Sequence, residues 1–221
     1  MSFLASCCAV LAVIGVSREP ETGGRWSWEA RHAEFLSAIA DNAGRPYDVV
    51  LLGDSLTERL PTDAYGDSRT LNLGVHGDRI ENLLWRLEHG ELDGYTAKLF
   101  RLHIGTNNLT QRWTTEEFLS GLRQLVELIS ERHPEARIEL VGLLPRHDRK
   151  SPRDAMERIR AVNRRLPELC DGEKVFLVDA CDKFLTPQGK PDTDCFIDGL
   201  HLSDAGYRRL IESEKRARER Q

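Results

Sequence analysis

The sequence predicts an α/β domain on a five-stranded parallel sheet, and three observations carry that prediction. Five short runs rich in aliphatic and β-branched residues alternate with amphipathic stretches at helical spacing, the order that gives right-handed strand–helix–strand crossovers. The first run, Val49-Val50-Leu51-Leu52, shows no polar alternation, as expected of a strand buried on both faces. A chain of 221 residues, 40% hydrophobic and 30% charged, suffices for one large globular domain.

Taken in order, the chain opens with an apolar or small stretch, Phe3 to Val16, with no charge before Arg18. It has the length of an export-signal core but falls short of the roughly 20 residues that span a membrane. Gly15 and Ser17 offer small residues ahead of a cleavage point, whereas no Lys or Arg precedes the stretch, and Leu4-Ala5-Ser6-Cys7 lies too near Met1 to act as a lipoprotein box. Residues 1–20 are read as an export signal, which would make the protein secreted or exported. The alternative is an apolar extension packed on a cytoplasmic domain. Residues 21–221 are read as the domain itself.

From Arg25-Trp26-Ser27-Trp28 a helix is expected through about Ala40, with Trp28, Phe35, Leu36 and Ile39 as its buried stripe. Gly44 and Pro46 stop it, and the central strand follows. A helical turn over Leu56–Leu60, a polar loop and a second strand, Thr70–Leu73, come next. Asp78 is placed as N-cap of a helix through Glu88. A third strand, Leu99–Ile104, precedes a helix capped by Thr114 or Thr115, with Glu117 completing a capping box. A fourth strand is expected over Ile138–Leu144, a helix from Ser151-Pro152 to about Leu169, a fifth strand over Lys174–Val178, and a C-terminal helix after Tyr207. The basic tail, Lys215 to Arg220, is balanced by Glu212, Glu214 and Glu219 and reads as a solvated helix end.

A net charge of −5 argues against nucleic acid as the main partner, because phosphate binding needs a basic surface. Of five cysteines, Cys7 and Cys8 lie in the apolar stretch, leaving Cys170, Cys181 and Cys195; none has zinc-ligand spacing or sits in a nucleophile motif, so buried thiols are the expected state.

Chemistry concentrates where strands end. Gly53-Asp54-Ser55 closes the central strand, at the sheet edge where open α/β proteins bind ligands, so Ser55 is a candidate nucleophile; Gly-Asp-Ser is also an ordinary turn sequence. Gly74-Val75-His76-Gly77 leads into a helix N-terminus, and Gly105-Thr106-Asn107-Asn108 leaves the third strand. Asp198-Gly199-Leu200-His201 places a carboxylate three residues before an imidazole, as an orienting pair, a simple loop pair or metal ligands. His32, His76, His89, His103, His133 and His147 lack such a partner and read as surface or core residues. Together the loops supply one acyl-transfer site, in which Ser55 attacks, His201 takes its proton and Asp198 orients His201. The backbone N–H groups of Ser55 and Gly77 and the amide of Asn107 would hold the oxyanion. The nucleophile elbow of ordinary α/β-hydrolases is absent, since Thr57 stands where that motif has glycine.

Gly53-Asp54-Ser55-Leu56, Gly77, Gly105-x-Asn107 and Asp198-x-x-His201 resemble the four blocks of the SGNH (GDSL) hydrolase superfamily. Within it, Leu84 to Leu92, Gly105 to Asn108, Gly142 to Arg146 and Leu200 to Ser203 are similar to the catalytic subunits of platelet-activating factor acetylhydrolase Ib. Val75-His76 departs from that subfamily, as does a shorter loop between Ser55 and Gly77. The resemblance implies a flavodoxin-like three-layer α/β/α sandwich and serine esterase chemistry without metal or other cofactor. It also implies that Leu56, Thr106 and Leu200 wall a small acyl pocket suited to acetyl. The expected partner is a small-molecule, lipid or glycan ester, with a homodimer left open. The rivals are a carbohydrate acetylesterase, a lysophospholipase or thioesterase and, outside enzymes, a catalytically silent flavodoxin-like binding module.

Overall fold

The computed structural model describes residues 28–61 and 63–221. The expected export signal, the 20/21 boundary, Cys7 and Cys8 lie outside the described residues.

The sheet contains β1 (Tyr47–Gly53), β2 (Thr70–Gly74), β3 (Ala97–His103), β4 (Arg137–Val141) and β5 (Val175–Val178). All four pairings are parallel, in the order β2-β1-β3-β4-β5. The period-2 alternation of side chains divides β1 between two cores. Val50 and Leu52 pack with Phe100, Leu102, Ile138 and Leu140 on one face; Val49 and Leu51 pack with Val141 and Val178 on the other. The first core is roofed by α1 (Trp28–Asp41), α3 (Ile80–Arg86), α4 (Thr115–Arg132) and α5 (Ala155–Asn163) through Phe35, Leu83, Leu125 and Ile159. The second lies under α2 (Ser55–Glu58) and α6 (Asp204–Arg218) through Leu56, Tyr207 and Leu210. Two cores around one sheet make the three-layer α/β/α sandwich the sequence predicts.

The strand order reverses direction at β1: its outgoing connection runs to β2 on one side, and the next returns across it to β3. The loops leaving the carboxyl ends of β1 and β3 therefore part around a crevice, the usual ligand position in open α/β sheets.

Local chemistry accounts for most boundaries. The capping box at α4 forms, with Glu117 N donating to Thr114 Oγ1 at 3.2 Å and Thr114 N donating to Glu117 Oε2 at 2.5 Å, a device worth about 1 kcal/mol. Other expectations give way. Arg79, not Asp78, precedes α3, because the Asp78 carboxylate is held by Trp28 Nε1 and by Arg86. The helix expected from Ser151-Pro152 starts at Ala155, because the Ser151 hydroxyl donates to Asp148 Oδ1 at 2.7 Å, and it ends at Asn163, with a separate 3₁₀ turn over Leu166–Leu169. Strand β4 stops at Val141, where Asn163 takes over the backbone of Leu143 through bonds to both its N–H and its carbonyl. The C-terminal helix is not simply solvated. Glu214 is fully buried and accepts from Arg101 Nε at 2.8 Å, and Arg218 stacks over the Tyr65 ring. Cys170, Cys181 and Cys195 are free, the latter two buried.

Candidate active site

The turn that carries Ser55 is built by close packing. A Cβ on Gly53 would lie 2.2 Å from the His103 carbonyl oxygen and 2.3 Å from Thr57 Oγ1; one on Gly74 would lie 2.3 Å from the Glu58 backbone nitrogen. Glycine at both places lets α2 sit directly on the ends of β1 and β2. The Asp54 side chain then accepts from Leu56 N at 2.9 Å and sets Ser55 as the first residue of α2. At that position the Ser55 N–H has no intrahelical acceptor. Two long-range bonds fasten the turn from below: Arg101 donates to Thr57 Oγ1 at 3.1 Å, and Tyr207 donates from α6 to the Leu56 carbonyl at 3.0 Å.

Asp198, at the head of the last loop, folds that loop around itself. Its Oδ1 accepts from Leu200 N and His201 N at 3.0 and 2.8 Å, and its Oδ2 lies 2.7 Å from His201 Nδ1. A bridge between Phe196 and Leu202 closes the loop base. Partial burial raises the Asp198 carboxyl, but its bonds from the His201 ring and from two backbone N–H groups outweigh burial and leave it at about 2. An ionised Asp198 holds the proton on Nδ1, so Nε2 is an acceptor. The Ser55 hydroxyl lies 3.0 Å from that Nε2. The three side chains thus form one unbroken hydrogen-bonded relay, with Ser55 and His201 buried and Asp198 half open to solvent.

Gly77 and Asn107 line the same cavity as Ser55, His201 and Asp198, a space of about 370 Å³. Gly77 holds φ +81°, a conformation that favours glycine, and Asn107 Nδ2 donates one hydrogen to the Asp78 carbonyl at 2.8 Å, leaving its second free for another acceptor. Asp78 itself is anchored from below. Trp28 Nε1 and the Arg86 guanidinium bond its carboxylate; Arg86 also pairs with Glu91, whose Oε1 lies 2.7 Å from His32 Nδ1. Burial pushes the Asp78 carboxyl up to about 6 despite Arg86, and the Asp54 carboxyl up to about 7.

The three residues expected to wall an acyl pocket separate. Leu200 lines the cavity, Leu56 packs into the core beneath α6, and Thr106 is buried with its carbonyl accepting from Arg146 at 2.8 Å. Sequence reasoning missed Arg146, which pairs with Asp148 and braces the Asn107 loop, and it missed His76. Among the histidines read as bystanders, His76 lies at the cavity, its ring parallel to that of His201 at 6.0 Å between centroids. His32, His103 and His133 are buried as expected. Signals existed for both, since Arg146 follows the fourth apolar run and His76 directly precedes Gly77, although the contact of His76 with His201 joins residues 125 positions apart.

Known proteins resemble this chain in sequence and in fold. The sequence profile of the GDSL-like Lipase/Acylhydrolase family matches residues 22–209. The platelet-activating factor acetylhydrolase IB subunit alpha1 of Bos taurus is 32% identical over 194 residues, covering 83% of this chain and 79% of that protein. The alpha2 subunit of Homo sapiens is 30% identical over 190 residues, covering 83% and 80%. A GDSL-like lipase of Bacteroides thetaiotaomicron superposes with a TM-score of 0.72 at 20% identity, over 86% of this chain and 98% of that one, a likeness of fold.

Proposed function

Because the chain belongs to the GDSL-like lipase/acylhydrolase family and is an ester hydrolase, we propose that it cleaves short acyl esters, acetyl esters foremost, with Ser55, His201 and Asp198 as its catalytic triad. The relay from Asp198 through His201 to Ser55 is the observation that carries this reading. Ser55 Oγ attacks the ester carbonyl carbon while its proton passes to His201 Nε2. The resulting imidazolium is stabilised by Asp198, whose carboxyl at about 2 stays ionised throughout. Negative charge developing on the carbonyl oxygen is met by the N–H groups of Ser55 and Gly77 and by the second amide hydrogen of Asn107; each such donor is typically worth about 10²–10³ in rate. Collapse of the tetrahedral intermediate breaks the carbon–oxygen bond, and His201 gives its proton to the departing alkoxide. Water, deprotonated by the same Nε2, then attacks the acyl-serine and releases the acid. Support for acetyl comes from Leu200 at the cavity wall and from relatives that are named acetylhydrolases.

The test is labelling with a fluorophosphonate and hydrolysis of 4-nitrophenyl acetate. Ser55 should carry the label by peptide mapping, and Ser55→Ala should lose both label and turnover. Asp198→Asn should fold, yet lose about four orders of magnitude in kcat through the wrong imidazole tautomer. Turnover that survives in Ser55→Ala, or label that maps elsewhere, would favour the catalytically silent binding module or a different nucleophile.

A further inference from the structure

We infer that Arg86 is the positioning residue of the oxyanion hole: it touches no substrate, and through Asp78 it fixes where the Gly77 N–H and the free Asn107 amide hydrogen point; this rests on the reading of Ser55, Gly77 and Asn107 above. Arg86 closes α3 and is fully buried. Its guanidinium bonds three partners. Nη2 donates to the Leu73 carbonyl at 3.0 Å, Nε and Nη2 donate to Asp78 Oδ2 at 3.0 and 2.8 Å, and Nη1 donates to Glu91 Oε2. Leu73 lies at the end of β2 and Asp78 directly follows Gly77, so one planar group grips both ends of the segment that carries the Gly77 donor. Within that segment Asp78 N donates to the Val75 carbonyl at 3.1 Å and Gly77 takes φ +81°, a tight turn whose N–H points where its held ends direct it.

Asn107 depends on the same residue from the other side. Its side chain donates to the Asp78 carbonyl at 2.8 Å, and because an amide is planar, fixing one hydrogen fixes the direction of the second. Asp78 in turn is held at both carboxylate oxygens, Oδ1 by Trp28 Nε1 at 2.8 Å and Oδ2 by Arg86. Burial works against a guanidinium charge, but Asp78 and Glu91 outweigh it and keep Arg86 ionised. Packing alone does not call for such a group, since apolar side chains of similar volume often replace a whole buried ion network at no cost in stability. An apolar side chain cannot bond a carbonyl and two carboxylates at fixed angles, however, and lysine, a point charge on a flexible stem, cannot reproduce the planar fork. Displacing a group that acts on the transition state by about 1 Å can cost about 10² in rate, so precise placement of these two donors is a catalytic requirement.

The experiment measures kcat and KM for 4-nitrophenyl acetate in the wild type, Arg86→Lys, Arg86→Met, Asn107→Ala and the two combinations with Asn107→Ala, each rate taken per folded molecule. Arg86→Met strands two buried carboxylates; Arg86→Lys keeps the charge and decides the matter if the first variant fails to fold. Arg86→Lys should lose about tenfold and Arg86→Met about a hundredfold in kcat, with KM within about threefold of wild type, because the displaced donors act on the transition state. Asn107→Ala should itself lose about 10²–10³. On that background each Arg86 substitution should cost at least about threefold less than it does in the wild type, since one of the donors it positions is already gone. A merely structural Arg86 gives losses that multiply. A spectroscopic arm is independent of turnover: the Asn107 Nδ2 hydrogens, assigned in the proton–nitrogen spectrum by their absence from Asn107→Ala, should shift and broaden in Arg86→Lys. A kcat within about threefold of wild type in folded Arg86→Lys, or losses that multiply across the cycle, overturns the inference while leaving Asn107 in the oxyanion hole. A wild-type kcat in Asn107→Ala would instead remove the oxyanion hole as read, and this inference with it.

Discussion

Replacing Asp54 by Asn tests whether the residue beside Ser55 is a neutral acid. Asp54 is 1% exposed, and burial lifts its carboxyl from an ordinary 3.8 to about 7, with the Leu56 N–H opposing the rise and Asp78 adding to it. Between those values the folded protein binds a proton that the unfolded chain has released, so stability falls as pH rises through the interval and levels off above it. Each pH unit in that interval is worth about 1.4 kcal/mol, which makes the whole effect about 4 kcal/mol as an upper figure. Asn keeps the oxygen that caps α2, an acceptor for Leu56 N at 2.9 Å in the native protein, and removes the titration. Unfolding free energies from urea titrations of both proteins at pH 4 to 8 give the difference directly, and subtraction cancels groups that titrate in both. Asp54→Asn should gain on the wild type by up to about 4 kcal/mol between pH 4 and 7 and hold the gain above pH 7. A difference that does not change with pH, or that grows in the opposite direction, would refute the neutral-acid argument and require a cation partner for Asp54.

Three further outcomes follow from the packing. Arg101→Met leaves the buried Glu214 without its nearest cation and should destabilise by about 3–5 kcal/mol, whereas Arg101→Met with Glu214→Leu should recover most of the loss; thermal unfolding distinguishes the two, and a single variant within 1 kcal/mol of wild type would contradict the argument. Gly206→Ala lies within α6, where alanine is intrinsically favoured by about 1 kcal/mol, yet its Cβ would meet the Cys195 carbonyl oxygen at 2.2 Å; the variant should melt lower than wild type, and a higher Tm would show that the loop yields. Since Leu200 alone of the three expected wall residues lines the cavity, Leu200→Ala should raise kcat/KM for 4-nitrophenyl butyrate and hexanoate relative to acetate, and an unaltered ratio would place the acyl chain elsewhere.

What was legible in the sequence was whatever depends on neighbours a few residues apart. The five strands could be read because each is a short stretch rich in aliphatic and β-branched residues, the α4 cap because Thr114 and Glu117 lie three residues apart, and the Asp198–His201 pair for the same reason. The hydrogen-bonded site followed from parallel topology, which gathers strand exits at one edge. Features that rest on distant partners were not legible. Arg101 interrupts β3 yet is fully buried, because Glu214 meets it from a helix 113 residues away. Asp78 looks like a cap until Arg86 and Trp28 are seen to claim it, and Ser151 looks like one until Asp148 does. Local pattern reports backbone preference, and a side chain with a stronger distant partner overrides it.

The bonds that fasten the Ser55 turn to α6 also fix the order in which a growing chain can complete its fold. Ser55 and its turn emerge early in synthesis, whereas the groups that meet them, His201, Tyr207 to the Leu56 carbonyl and Glu214 to Arg101, are 146, 151 and 113 residues further on. Sheet strands β1 to β5 can pair as they leave the ribosome, but the second layer is not covered until α6 arrives, so the nascent intermediate exposes Val49, Leu51, Val141 and Val178 to solvent or to chaperones. A chain stalled or cut before residue 214 would therefore be an aggregation hazard without being an esterase, and acquisition of activity in a timed translation reaction should lag the appearance of the strands by the synthesis time of the last helix.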